Sequence, residues 1–518
     1  MKEAIAGSIF KKILSLETSQ APKLAARSLI ASAGDLADAV RGLGLHVPGF
    51  DVTHQTSRYR KLIVRLEQIF VSSRSELTYE LPNKPLEVDI LVQEGGLPIP
   101  EEDFALILAC VKWEIEPPFP EGGRSSWLQY QQPRKLLDAQ RTTVAAIKIK
   151  GGGTVVDKKA LPPSTSTFFH GDRLLGPGLG QLMVLQHMGI RDDGSFYPVL
   201  DQPKPLGGIT LSRARVEFEI TKHLMNAGAS AVLPIAYGKF GNLQYQGEPL
   251  GFVILASSVS RPNRMGYYFE PVEYVSGRVV DLSPPLTALV CRRFDVLDRR
   301  GAPMAVAKTV SELFRACGTT MRGFHNAGVC RFAGHTGNFQ YDEEKRIAIQ
   351  HDFDSSVLIE SVAPNARGLS ILRDLSSALF RLAHSVMHAR LFILFDDNCW
   401  GRHNPFNGWL LGYFPDIDSR SVIPVGDRIA GLYRTALKTM PHYGTLEFTS
   451  WFPKFSYDFT VEVIEMLMPL FQKSRLGTLY PLPYGPGEVY RAHMARYREQ
   501  VQWQGEQAML VQMSARRS

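Results

Sequence analysis

Two hydrophobic periodicities divide the chain, and their order constrains the fold most. From about residue 282 onward apolar residues return every three or four positions, the period of a helix. This holds in "SELFRACGTTMRGFHNAG", "GLSILRDLSSALFRLAHSVMHARLFILF", "DRIAGLYRTALKTM" and "SYDFTVEVIEMLMPLFQ". Between about 76 and 281 short apolar runs alternate with turn signals and read as strands. They are "LEVDILVQ", "FALILACVKWEI", "TTVAAIKIK", "AVLPIAYGKFG" and "GEPLGFVILASS". One prominent helix interrupts them, "SRARVEFEITKHLMNAG", which Gly228 ends. Residues 1–75 carry further helical patterns, and residues 151–206, rich in Gly, Pro, Ser and Asp, read as a long insertion. The expectation is an α+β chain in three parts: a helical extension over 1–75, a strand-rich lobe over 76–281 and a helical lobe over 282–518.

Composition narrows the classes of function. Across 518 residues, 44% hydrophobic and 21% charged content supplies a core and excludes a disordered chain. The net charge of +7 suits an anionic small ligand. No basic block with interleaved aromatics occurs, so nucleic acid is not expected as a partner. Five scattered cysteines contain no C-x-x-C pair, which points to reduced thiols rather than disulfides or a zinc site. No apolar run reaches 18 residues, so no membrane span is expected. The opening "MKEAIAGSIFKKILSLETSQ" reads as an amphipathic helix rather than a signal peptide, and a cytoplasmic location is expected.

A strand-rich lobe followed by a helical one is the order of a bilobal protein-kinase-like fold, with nucleotide in the cleft between. Transfer of a phosphorus-containing group from ATP needs few protein groups. A lysine holds the phosphates, a glutamate on a neighbouring helix fixes the lysine, and oxygen ligands hold Mg²⁺ or Mn²⁺. Lys150 ends the run "VAAIKIK" just before three glycines, and Glu217 lies on the helix "RVEFEITKHL". Asn338 and Asp352 flank a hairpin pattern in "GNFQYDEEKRIAIQHDFDSS". Glu219 lies beside Glu217, and an exposed helix face accounts for one of the two.

The segments "KGGG" and "GGITLSRARVEFEITKHLMNAG" resemble those of selenoprotein O, a kinase-fold family that transfers AMP to protein hydroxyls. The family's strand-end Lys is similar to Lys150, and its helix places Glu and Gly at the spacing of Glu217 and Gly228. Its Asn-Thr-Asp-Asn segment resembles His335–Asn338, its Asp-Tyr-Gly-Pro resembles Asp352–Ser355, and its Ser-x-x-Arg resembles "SSVSR", giving Arg261. The resemblance implies nucleotide contacts from Lys150, Glu217 and Arg261, and metal ligation by Asn338 and Asp352. "HTGN" is also similar to a motif of aminoglycoside phosphotransferases.

The departures are specific. The family's acid before the metal Asn is Gly337, and the base of the ordinary kinase frame falls at Ala333. A second phosphate-contacting Arg of the family is Ile254 here, and upstream of Lys150 the typical Gly-rich loop is lacking, "EGGR" at 121–124 being a poor substitute. "GPGLG" at 176–180 has no Lys-Ser/Thr after it and reads as a loop. With no acid in either frame, His335 and Asp354 are the nearby candidates to take a proton, although a loose transition state leans on positioning more than on a base. The sequence therefore leads to an ATP- and Mg²⁺-dependent transferase of AMP onto a protein or small-molecule acceptor. A phosphotransferase acting on a small molecule or protein hydroxyl, and a non-catalytic binding module, are the alternatives.

Overall fold

The computed structural model describes residues 52–71, 77–93, 98–136, 142–168, 188–198, 204–260, 264–269, 274–275, 278–279, 284–294, 303–331, 336–388, 403–441 and 446–515. The helical patterns expected before residue 52 and the "GPGLG" segment lie outside them.

The chain is α+β, with an antiparallel sheet built first and helices after it. After helix α1 (Val52–Ile69) come β1 (Val88–Gln93), α2 (Glu101–Val111), β2 (Phe119–Pro120), β3 (Ser125–Lys135) and β4 (Thr143–Lys150). Among the short strands of the insertion that follow are β5 (Met188–Ile190) and β6 (Phe196–Pro198). Next are β7 (Ile209–Thr210), α3 (Leu211–Asn226), β8 (Leu233–Tyr245) and β9 (Glu248–Ser257). The seven-stranded sheet runs β1-β8-β9-β4-β3-β2, with β7 paired to β9. Its register sets Lys150 opposite Val253 on one side and Ser125 on the other.

The two faces of the sheet are covered differently. Ile147, Ile149 and Ile254 point into a core shared with α1 and α2, which includes Leu66, Leu106 and Val111. Val253 and Leu255 point the other way, toward Phe218 and Leu224 of α3. Because side chains alternate along a strand, Lys148 and Lys150 fall on the face opposite Ile147 and Ile149. On α3 the buried positions Ala214, Glu217, Phe218, Thr221 and Leu224 share one stripe. Glu219 is exposed. Gly228, at a φ of 68°, terminates the helix in the left-handed conformation that favours glycine.

One element differs from the sequence expectation. "FALILACVKWEI" contributes to helix α2, not to a strand. A continuous apolar run does not distinguish a buried strand from a buried helix. Here Glu101, Glu102 and Asp103 occupy the first turn after Pro100, where carboxylates favour a helix N-terminus.

The helical part comprises α4 (Pro284–Phe294), α5 (Pro303–Asn326), α6 (Arg367–His388), α7 (Pro405–Tyr413), α8 (Ser419–Lys438), α9 (Leu446–Lys473) and α10 (Glu488–Ala515). Between α5 and α6 lies a hairpin, β10 (Phe339–Asp342) paired with β11 (Ile347–Gln350). The insertion is anchored here: Met188 and Phe196 enter the helical core, and Tyr484 donates to Gly194 O at 2.7 Å.

Helices α5 and α7 approach at backbone distance. A Cβ at Gly318 would overlap Trp409 O, and one at Gly412 would overlap Arg315 O. Gly412→Val should therefore destabilise the protein by roughly 1–3 kcal/mol, as overpacking does. Gly431→Ala on α8, where a Cβ meets nothing within 4 Å, should instead stabilise by roughly 0.5–1 kcal/mol. Urea-denaturation midpoints check both signs, and equal shifts for the two would contradict the close approach.

Candidate active site

Strand β4 ends in Lys150, whose side chain is almost fully buried. The chain turns at once: Gly151 has a φ of 84°, its N–H donates to Arg124 O at 2.6 Å, and a Cβ there would overlap Gly251 O. Lys150 Nζ meets Glu217 Oε2 at 2.5 Å, Asp354 Oδ1 at 3.2 Å and Asp352 Oδ1. Burial alone would lower the lysine pKa, yet Asp352, Asp354 and Glu217 together hold it above its ordinary value.

The hairpin delivers the other half of the site. Asn338 immediately precedes β10, and Asp352 lies two residues beyond β11. The His351 N–H donates to Asn338 O at 3.0 Å, which closes the base of the hairpin. Asn338 Nδ2 donates to Asp352 Oδ2 at 3.2 Å. Asp352 has a φ of 76°, a conformation that side-chain-bearing residues rarely adopt. Arg331 Nη2 donates to its carbonyl oxygen at 2.6 Å and holds that geometry. Burial would raise the Asp352 pKa, but Lys150, Lys148, Arg331 and Arg124 hold it well below the usual carboxylate range.

Asp354, expected as a proton acceptor, stands among three cations. Beyond Lys150, its Oδ2 lies 3.1 Å from Arg124 and 3.6 Å from Arg213. Burial would raise its pKa, yet Lys150 and Arg124 hold the carboxyl below its usual range. A carboxylate so stabilised is a weak base and a good ligand for a cation. Oxygens of Glu217, Asp352 and Asp354 lie within 4.8 Å of one another. Glu217 Oε1 is buried with no hydrogen-bond partner. A hard divalent cation fits this set of oxygens.

The structure thus brings together Lys150, Glu217, Asn338, Asp352 and Asp354, which are dispersed along the sequence. His335 and Arg261 lie outside the described residues. Several neighbours went unread in the sequence. Arg124 comes from the turn between β2 and β3, the "EGGR" segment, so that turn reaches the cluster. Arg213 comes from the first turn of α3. Lys148 shares the face of Lys150, a relation the two-residue period of a strand carries. Its Nζ lies 3.0 Å from His351 Nδ1, and burial pushes its pKa down to about 8. Burial, and then Lys148, push the pKa of His351 well below the ordinary value.

A second buried group supports the first. Asp374 on α6 accepts from the Arg331 N–H at 2.7 Å and pairs with His325 Nε2 at 3.0 Å. It ties the end of α5 and the start of the Arg331 segment to the helical core.

No family model matches the chain, and no curated protein matches it. Among solved structures it is similar to WaaP in complex with acyl carrier protein, at 14% identity and a TM-score of 0.24, over 42% of this chain and 76% of that one. It is also similar to the aerobactin synthetase IucC from a hypervirulent pathotype of Klebsiella pneumoniae, at 13% identity and a TM-score of 0.24, over 60% of this chain and 48% of that one. Likeness of this degree leaves the site to be read from its own geometry. Among the described residues no helix is long and apolar enough to cross a membrane.

The electrostatics predict an acid response of the metal-free protein. Asp352 and Asp354 have folded pKa values below the unfolded value of about 3.9. Their stabilisation is complete above that value and is lost as the pH falls through the folded ones. In a chelator-containing buffer the urea midpoint should fall steeply below pH ~4. Asp354→Asn should lower the midpoint at pH 7 and flatten the acid limb. An acid limb unchanged by that substitution would contradict the assigned shift.

Proposed function

We propose that the chain is an ATP-dependent transferase of a phosphorus-containing group, with a bilobal kinase-like cleft and a divalent metal, Mg²⁺ or Mn²⁺. The observation that carries this reading is the contact of the buried Lys150–Glu217 pair with Asp352, itself hydrogen-bonded to Asn338. The strand-rich lobe over 76–281 supplies the lysine and glutamate, and the helical lobe over 282–518 supplies the amide and the aspartate.

Each residue then has a stated task. Lys150, aimed by Glu217, contacts the phosphates, with Arg124 and Arg213 beside it. Asn338, Asp352 and Asp354 would hold the metal, which when bound neutralises phosphate charge and orients the triphosphate. Asp354 serves here as a ligand rather than a base, because its cationic neighbours keep it charged. Neither Gly337 nor Ala333 offers a carboxylate beside the metal amide. The chemistry accordingly leans on positioning and charge neutralisation, which a loose phosphoryl transition state permits. The finer reading, AMP transfer to a protein or small-molecule acceptor, draws on the resemblance of "KGGG" and "VEFEITKHLMNAG" to selenoprotein O.

ATP labelled at the α or the γ phosphate, incubated with the protein, Mg²⁺ and a cell extract as acceptor source, tests the reading. Label transferred from the α position is expected. Transfer from γ alone would replace AMP transfer with phosphotransfer, and no transfer from either would remove the transferase reading. Asp352→Ala should abolish metal-dependent turnover. Lys150→Ala and Glu217→Ala should each remove most of the rate, and the double variant should cost little more than either single one. Additive losses would mean that the pair does not act as a unit.

A further inference from the structure

A cavity of about 540 Å³ opens between α5, the β10–β11 hairpin and the Gly228–Ser230 segment after α3. It shares no residue with the Lys150 cluster. Along α5 its wall runs through Glu312, Arg315, Thr319 and Gly323, three or four residues apart, so one helix face lines it. Those eleven steps span about 16 Å at the helical rise. The groove is therefore elongated. At Gly323 a Cβ would meet nothing within 4 Å, so the space beside the helix is open.

The charge of the groove has one sign. Glu312 is neutralised by Arg293 at 2.7 Å. Arg315 on the helix wall and Arg346 on the hairpin wall are both exposed. Neither forms an ion pair with a carboxylate among the described residues. Arg346 has a φ of 55°, in a turn position where Gly or Asn would be relaxed. Ala316 and Ile347 add small and apolar surface to the same lining.

We propose that this groove docks an extended acidic segment of a partner protein. A length of about 16 Å holds roughly five extended residues at ~3.3 Å each. Separate guanidinium groups on the two walls match carboxylates spaced along such a segment, and guanidinium favours carboxylate by paired donors. The small and apolar lining, Ala316 and Ile347, takes the intervening side chains. The groove touches no member of the Lys150 cluster, so its failure as a docking site leaves the proposed transferase reading intact.

The test uses the full chain and a fluorescein-labelled hexaglutamate peptide, followed by fluorescence anisotropy at low ionic strength. Saturable binding is expected, weakening as salt screens the charges. The double substitution Arg315→Glu with Arg346→Glu should weaken it at least about tenfold, equivalent to ~1.4 kcal/mol. Arg428→Glu, an equal charge reversal on the exposed side of α8, should leave it unchanged. The milder Arg315→Gln with Arg346→Gln should weaken it in the same direction, and an unaltered thermal unfolding curve shows that the fold is kept. Absent binding, or binding that ignores the groove substitutions, would overturn the proposal. Groove-dependent displacement of the peptide by millimolar inorganic phosphate would overturn it too, in favour of a compact anion.

Discussion

The structure depends on one buried cation and the carboxylates that surround it. Lys150 is drawn out of water at the end of β4, a position tolerable only because Glu217, Asp352 and Asp354 converge on it. Those partners come from α3 and from the segment after β11, 67 and 202 residues away from the lysine. The cluster therefore ties the sheet, its covering helix and the hairpin to a common point. Such a cluster is a poor device for stability. Apolar side chains of similar volume would pack there at no net loss, whereas deleting one member strands the others, at about 3–5 kcal/mol. Charges placed where hydrocarbon would serve the fold as well are in keeping with the proposed chemistry.

The second constraint is backbone geometry. Asp352 reaches both Lys150 and Asn338 from the left-handed conformation, which costs roughly 1–3 kcal/mol in a non-glycine residue. That cost is met by contacts outside the cluster. Arg331 grips the Asp352 carbonyl, Asp374 fixes the Arg331 backbone, and His325 braces Asp374 from α5. Asp374 itself sits on α6, among the apolar side chains of the helical core. The core thus reaches the site through three hydrogen bonds in series, and a loosened α5–α6 contact would be felt at Asp352.

Much of this was legible in the sequence, for reasons that differ by residue. Lys150 was readable because a two-residue period ran into a glycine turn, and Glu217 because its helix had a clear apolar stripe and a glycine stop. Asn338 and Asp352 were readable as a pair because the residues between them have the length and polarity of a hairpin. Helix α2 was misread because an unbroken apolar run has no period to declare, and the deciding signal was three acids in its first turn. Arg213 and Arg331 were not legible, and Arg124 was legible only as the end of the "EGGR" segment, without a role. Each meets the cluster across long sequence separations, and an arginine in a turn or at a helix start looks like any solvated surface charge. Asp354 was found, but the cations around it, which hold its carboxyl below the usual range, were not readable from its identity.

The charge balance of the cluster indicates how the proposed site would admit its nucleotide. Three carboxylates now neutralise Lys150, Arg124 and Arg213 directly. A metal–triphosphate complex carries both signs, so it can exchange every one of these partners at once. The carboxylates would turn to the metal and the cations to the phosphates, so that each buried charge keeps a partner of opposite sign. The turn carrying Arg124 is placed for such an exchange. Glu121 at its start pairs with Arg264 at 2.5 Å, and Arg264 also donates to Gly337 O beside the metal amide. Arg124 at its end is thus free to leave Asp354 while the turn stays docked on the loop that carries Asn338. An acid at position 337 would add a fourth negative charge to this exchange. Glycine there leaves only its carbonyl, which Arg264 already uses to hold the two halves of the site in register.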